Sequence, residues 1–140
     1  MLSSTRWLEP TRYVDLPARV LLSLLFLVSG AGKLTAVAAT QAYMASYDLP
    51  PELVWPAAAL ELASGVLLLL GLWLRPLGLL LAGWCMVTAL IFHTKFSDQM
   101  QMINFLKNMA MAGGFLLLSK TGAPHLGLDG RGGSAGRVRA

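Results

Sequence analysis

Four long apolar runs constrain the fold of this chain more than any other feature of its sequence. They lie at residues 16–34, 53–74, 76–93 and 100–119. Each run has the length of about 17–25 residues that a helix needs to cross the hydrocarbon core of a bilayer. Because unpaired backbone groups are too costly in lipid, a spanning run must form a helix or a strand of a closed barrel. The unbroken leucines at 67–70 lack the alternation of barrel strands, so the sequence predicts four transmembrane helices.

The composition also indicates a membrane protein. Hydrophobic residues make up 56% of the 140 residues and charged residues only 13%, against roughly 25% charged residues in typical soluble domains. We therefore predict an all-α, integral membrane four-helix bundle at residues 16–119. A short N-terminal segment (1–15) precedes it, and a Gly/Arg-rich tail (120–140) follows it. A signal peptide is the alternative interpretation of the first run, because the small residues at 36–38 resemble a cleavage site.

The connections between the spans are marked by proline and by aromatic residues. Arg75-Pro76 predicts a very short turn, which would make the second and third helices adjacent and antiparallel. Residues 35–47 are long enough for a helix at the membrane interface, with Tyr43 and Tyr47 at headgroup level. The tryptophans are expected mostly near the span ends, where they act as anchors.

The basic residues predict the orientation of the bundle. Four spans place both termini and the loop at Arg75 on one side of the membrane. That side carries eight of the eleven Lys and Arg residues: Arg6, Arg12, Arg19, Arg75, Lys120, Arg131, Arg137 and Arg139. The positive-inside rule then puts both termini in the cytoplasm, as for a multi-pass protein of the bacterial inner membrane. The net charge of +4 therefore reflects topology, and no soluble basic domain is present that would bind nucleic acid.

Two charged residues inside the spans are the main candidates for function, because charge near a helix centre is costly in a bilayer. Glu61 and Lys107 each lie nine residues after an acidic residue at the outer end of their span, Glu52 and Asp98. Both therefore sit roughly 13 Å deep. Equal depth and opposite charge predict a Glu61–Lys107 ion pair.

Further polar residues extend this pair into a candidate polar cluster in the outer half of the bundle. Its six members are Lys33, Glu61, His93, Asn104, Lys107 and Asn108. One interpretation is structural, in which the cluster fixes the register of the helices. The other is functional, in which it lines a pocket that binds a polar head group or relays protons. The lone Cys85 excludes an internal disulfide, and no ligand spacing predicts a metal site.

Several motifs in chain order carry a family resemblance. Arg19 is followed by Leu-Phe-Leu-Val-Ser-Gly-Ala-Gly-Lys-Leu at 25–34, and Glu61 begins Glu-Leu-Ala-Ser-Gly-Val-Leu-Leu-Leu-Leu-Gly. Phe92-His93, the segment Asn-Phe-Leu-Lys-Asn-Met-Ala-Met-Ala-Gly-Gly at 104–114, Gly122 and Leu128-Asp129 complete the pattern. The chain thereby resembles the DoxX family of small four-helix bacterial membrane proteins. By this resemblance, Lys33, Glu61, His93, Lys107 and Asn108 match the polar motif positions of the family.

The resemblance also implies a range of functions. Some members of the family look like membrane subunits of redox systems, including a thiosulfate:quinone oxidoreductase, and others accompany thiol-stress systems. We therefore expect an accessory subunit of a quinone- or thiol-linked redox assembly, with a quinone head group or another small polar molecule as its ligand and no catalysis by the isolated chain. Expected partners are the lipid bilayer and either other membrane or redox subunits or further copies of the chain. The alternatives are a purely structural subunit of a larger complex and a small-molecule transporter that acts as an oligomer.

Overall fold

The computed structural model describes residues 11–122 and 127–131, and these residues are almost entirely helical. The elements in order are α1 (Thr11–Thr35), α2 (Val37–Ala45), a 3-10 turn (Pro51–Leu53), α3 (Val54–Leu70), α4 (Leu74–Phe92), α5 (Gln99–Thr121) and α6 (Leu128–Arg131). Helices α1, α4 and α5, and α3 together with the 3-10 turn before it, are long and apolar enough to cross a membrane. The predicted all-α bundle of four membrane helices is therefore confirmed. Residues 1–10 and most of the predicted tail lie outside the described residues, and the cytoplasmic position of the termini stays a prediction.

Helix α1 begins earlier than the predicted span at residue 16. It starts at Thr11 and contains Pro17. Proline inside a helix removes one hydrogen bond to the carbonyl four residues earlier. On either side of it, Asp15 and Arg19 form an ion pair across one helical turn, with 3.6 Å between Oδ1 and Nε. Helix formation therefore continues upstream of the proline.

The turn between α3 and α4 also lies earlier than predicted. Helix α3 ends before Gly71, which has the left-handed conformation with φ of 67°, and Trp73 just before α4 has φ of 52°. The prediction of a turn at Arg75-Pro76 was wrong, since both residues lie in the first turn of α4. A glycine ends a helix in this conformation without a Cβ clash. A proline in the first helical turn has no backbone hydrogen bond to lose.

The segment with α6 folds back onto this turn. The two carboxylate oxygens of Asp129 accept hydrogen bonds from the backbone N–H groups of Trp73 (2.9 Å) and Leu74 (3.0 Å). The N–H of Asp129 donates to the carbonyl of Gly71 at 3.1 Å. Asp129 therefore caps the start of α4, whose first N–H groups have no partner within the helix.

The helices pack as two pairs, α1 with α3 and α4 with α5, while α3 and α4 approach each other far less closely. This differs from the expectation that the second and third spans pack side by side. Two glycines bring α1 and α3 together: a Cβ at Gly30 would lie 2.8 Å from Leu62 Cγ, and one at Gly65 would lie 2.6 Å from Leu27 Cγ.

A hydrophobic core joins the two pairs. In it the rings of Phe26 and Phe115 meet edge to face with their centroids 5.5 Å apart. The buried members of the core are Phe26, Leu68, Leu74, Leu77, Leu81, Ala82, Cys85, Ala112 and Phe115. The end of the bundle at the α3–α4 turn is therefore filled with side chains.

We expect Gly65→Val to lower the free energy of unfolding by about 1–3 kcal/mol, because the new side chain would overlap Leu27. Reversible unfolding in mixed detergent micelles, followed by circular dichroism, measures this loss. Gly83→Val is the matched control, since a Cβ at Gly83 meets no atom within 4 Å. Equal losses in the two variants would show that helix propensity, and not close packing of α1 on α3, determines the result.

Candidate functional site

A cavity of about 750 Å³ lies between the helices, next to the filled core. All five of the longer helices, α1 to α5, contribute side chains to it. Its volume falls in the range of about 300–1,000 Å³ that is typical of small-molecule sites. Most of its wall is apolar, and the polar side chains are few: Ser29, Lys33, Thr40, Tyr43, Glu61, Trp84, Thr88, His93 and Asn108.

A buried ion pair is the strongest polar feature of this cavity. Lys33 Nζ on α1 lies 2.7 Å from Glu61 Oε2 on α3, and Glu61 is only 5% exposed. The other carboxylate oxygen, Oε1, accepts a hydrogen bond of 3.3 Å from Trp84 Nε1 on α4. Lys33 Nζ also donates to Ser29 Oγ at 2.9 Å. Side chains of α1 and α4 therefore hold both oxygens of the Glu61 carboxylate, which α3 carries.

The predicted pairing of Glu61 with Lys107 was wrong. Lys107 is exposed on α5 and does not line the cavity, whereas Lys33 makes the ion pair. The depth of a residue along its helix can be estimated from sequence, but the rotation of that helix about its axis cannot. The glycine contacts that join α1 to α3 bring Lys33 to Glu61, since they place its helix directly beside that of the carboxylate.

One of the two asparagines on α5 lines the cavity, and the other does not. Asn108 lines the cavity, and its Nδ2 donates to the backbone carbonyl of Asn104 at 3.0 Å. The hydroxyl of Thr88 has more than one acceptor within reach: its Oγ1 lies 2.9 Å from the carbonyl oxygen of Trp84 and 3.4 Å from Asn108 Oδ1. Asn104 does not line the cavity. Of the six residues in the predicted cluster, the structure thus places Lys33, Glu61, His93 and Asn108 around one space.

An aromatic cluster from α2, the turn after it and the end of α4 lies beside the cavity, and Tyr43 and Phe92 line it. The rings of Tyr43, Tyr47 and Phe92 lie 5.1–5.3 Å apart, and the hydroxyl of Tyr47 donates to the carbonyl of Phe92 at 3.1 Å. Burial raises the pKa of Tyr43 to about 12, with a further contribution from Tyr47. Tyr43 therefore offers a neutral hydroxyl. The helix expected at 35–47 is confirmed as α2, and its place at the membrane interface stays a prediction.

His93 follows the last residue of α4 and is fixed from one side. Its Nδ1 lies 2.8 Å from Gln101 Oε1, and the tautomer with a proton on Nδ1 donates to this oxygen and has Nε2 as an acceptor. Both residues are partly buried, and His93 lines the cavity. Within residues 11–122 and 127–131, no three His, Cys, Asp or Glu side chains cluster as a metal site would require.

Two residues that hold the ion pair were missed by the sequence reasoning. Trp84 lies in the middle of α4, away from the span ends where tryptophans were expected. Ser29 was overlooked, although its position one helical turn before Lys33 is a signal that the sequence contains. No comparable signal links Trp84 to Glu61, because they lie on different helices.

A family model and two curated relatives match this chain. The model of the family described as DoxX matches residues 14–94, which include Lys33, Glu61, Trp84 and His93. Inner membrane protein YqjF of Escherichia coli (strain K12) is 37% identical over 114 residues, which cover 81% of this chain and 88% of that protein. Inner membrane protein YphA of the same organism is 36% identical over 121 residues, which cover 81% and 86%. No solved structure matches the chain.

Proposed function

Since the chain belongs to the DoxX family and is an integral protein of the inner membrane, we propose that it is an accessory subunit of a quinone-linked redox assembly. In this proposal the head group of the quinone binds in the cavity between the helices. The observation that carries the proposal is the buried Lys33–Glu61 pair at the wall of an otherwise largely apolar cavity. Intramembrane charges of this kind usually mark a binding or proton site.

The hydrogen-bonding capacity of the cavity fits a quinone head group, which presents two carbonyl oxygens on a flat ring. Lys33 has three N–H donors and uses two of them, on Ser29 and Glu61. Asn108 uses one amide N–H on the carbonyl of Asn104, which leaves the second one for a ligand. Each carbonyl oxygen of the ring therefore has a donor of its own.

The apolar part of the cavity fits the ring faces and the first part of an isoprenoid tail. Side chains of α1, α3, α4 and α5 supply it, among them Leu25, Leu60, Val87, Ile91 and Met111. A pocket with many apolar walls and a few convergent polar groups is the usual form of a small-molecule site.

A bound quinone would supply the reversible uptake of two electrons and two protons. In this chain, Glu61 is the group that holds a proton or releases one at the wall of the cavity, and Lys33 and Trp84 keep its carboxylate in place. The chain has a single cysteine. One thiol cannot act as a dithiol pair, and in this proposal a partner subunit supplies the electrons.

The position of the core supports a binding site over a transport path. Large side chains such as Leu68, Leu74, Leu81 and Phe115 are fully buried and fill the bundle next to the cavity. A transported solute would have to displace this packed layer, whereas a ligand that binds and leaves on the same side would not.

Titration of the purified protein in lipid nanodiscs with a short-chain ubiquinone tests the proposal, with quenching of tryptophan fluorescence as the signal. We expect saturable binding that weakens about tenfold or more in Lys33→Met, because a hydrogen bond from a charged donor is lost. Asn108→Ala, which leaves the ion pair intact, is expected to weaken binding by a smaller factor. Lys95→Met is the control, since Lys95 is exposed in the loop before α5. Absence of saturable binding, or equal affinity in all variants, would contradict the proposal.

A further inference from the structure

Helix α5 carries a lysine on its exposed side, within the membrane span. Lys107 is the ninth residue of the span Gln99–Thr121, so it lies about 12 Å from the first residue along the helix axis. It is exposed and does not line the cavity. In the described parts of the chain it has neither a hydrogen-bond partner nor an ion-pair partner. An intramembrane lysine normally faces a partner group of opposite charge or a polar cavity.

The acidic residues in the described parts of the chain do not supply that partner. Among the described residues, Glu61 is paired with Lys33 at 2.7 Å, and Asp15 is paired with Arg19 at 3.6 Å near the opposite end of the bundle. Every other described Asp or Glu lies outside the four spans, apart from Glu52, which lies in the 3-10 turn before α3 at the start of its span. A second copy of the chain has the same pairs and adds another Lys107.

The surface around Lys107 is shaped for close approach by another helix. Ala110 and Gly114 follow it at i+3 and i+7 and therefore share its face. Ala110 is exposed, and a Cβ at Gly114 would meet no atom within 4 Å. Only 11% of an 18-residue window of α5 is buried, compared with 22–39% of the corresponding windows of the other three spans. Small residues on an uncovered face allow helix backbones to approach closely in membranes.

We propose that this surface, the Lys107 face (Lys107, Ala110 and Gly114), binds a transmembrane helix of a partner subunit that carries a carboxylate at the depth of Lys107. The carboxylate compensates the lysine charge, and the small residues admit the backbone of the partner helix. Association of two copies through this face would bring two like charges together, which favours a different subunit as the partner. The inference deepens the proposed subunit role and does not depend on the ligand of the cavity.

The test uses a synthetic apolar helix of 23 residues, the length of the α5 span, with one glutamate. Because the peptide can insert in either direction, two versions are used. Each version places the glutamate at the depth of Lys107 in one of the two orientations. Energy transfer between the labelled chain and the labelled peptide is measured in phosphatidylcholine vesicles. We expect association about tenfold tighter than for the matched glutamine peptides.

Three variants assign the association to this surface. Lys107→Met is expected to remove the preference for glutamate, and Gly114→Leu is expected to weaken binding of both peptides by blocking close approach. Lys120→Met is the control, because Lys120 lies in the last turn of α5 at the other end of the span. Equal binding of the glutamate and glutamine peptides would overturn the proposal.

Two further results would also overturn it in favour of another occupant. One is energy transfer between labelled copies of the chain that Gly114→Leu removes, which would identify a homodimer. The other is loss of glutamate-peptide binding when phosphatidylglycerol is added, which would identify an anionic lipid. Quinone titration of Lys107→Met is expected to match the unsubstituted protein, so failure of the helix proposal is distinguishable from failure of the cavity proposal.

Discussion

Replacement of Arg19 by methionine is expected to lower the free energy of unfolding by about 3–5 kcal/mol. The Arg19 side chain is fully buried, and its Nη1 donates to the carbonyls of Leu68 (3.4 Å) and Leu69 (3.2 Å) in the last turn of α3. Its Nε lies 3.6 Å from Asp15 Oδ1. Methionine fills a similar volume but leaves the Asp15 charge and the two carbonyls without the guanidinium.

The position of Arg19 within the bundle explains why this loss is large. The last carbonyls of a helix have no partner inside it, and Arg19 reaches those of α3 from α1. Gly71 is in direct contact with the guanidinium, and the carboxyl-terminal segment packs against Gly71 through Gly127 and Asp129. Arg19 therefore joins α1 to the last turn of α3, next to the α3–α4 turn on which the returning segment packs.

Equilibrium unfolding of Arg19→Met in mixed dodecylmaltoside and dodecyl sulfate micelles measures the loss. Arg75→Met is the matched control, because Arg75 lies at the same end of the bundle and is exposed; its effect is expected to stay within about 0.5 kcal/mol. A loss in Arg19→Met no larger than that of the control would show that the buried guanidinium does not hold this end together.

The sequence predicted the helices far better than the contacts between them. Span positions follow from hydropathy, because lipid forces each apolar run to satisfy its own backbone. The contacts of a side chain depend on the rotation of its helix and on which helices are neighbours, and neither follows from the position of a run. The Glu61–Lys107 prediction failed for this reason. The predicted cluster had six members, and Lys33, Glu61, His93 and Asn108 line the cavity whereas Asn104 and Lys107 do not.

Arg19 and Asp129 illustrate contacts that depend on residues far apart in the chain. From the sequence, Arg19 is one of several basic residues on the predicted cytoplasmic side, and only Asp15 one turn earlier indicates a pair. Asp129 caps α4 from a position 56 residues after Trp73. A capping residue is normally sought immediately before its helix, so local patterns contain no signal for this contact.

The second large effect is expected at the ion pair of the cavity. Lys33→Met leaves the Glu61 carboxylate buried with only the Trp84 N–H as a partner, and we expect a loss of about 3–5 kcal/mol in the free energy of unfolding. Glu61→Gln leaves the Lys33 charge without its carboxylate and is expected to be destabilising as well. In the double variant neither charge remains, so its loss is expected to fall short of the sum of the single losses by about 1–3 kcal/mol.

A second cycle provides the control and distinguishes the two pairings directly. Lys107→Met combined with Glu61→Gln is expected to give additive losses within about 0.5 kcal/mol, since the structure pairs Glu61 with Lys33. Coupling of Glu61 to Lys107 in place of Lys33 would restore the pairing first predicted from depth.

The Lys33/Glu61 double variant also separates stability from binding. Its cavity wall carries neither charge of the pair, but it also lacks the lysine donor. If quinone affinity stays low while stability recovers, the charged pair serves the ligand; if both recover, the pair serves only the fold.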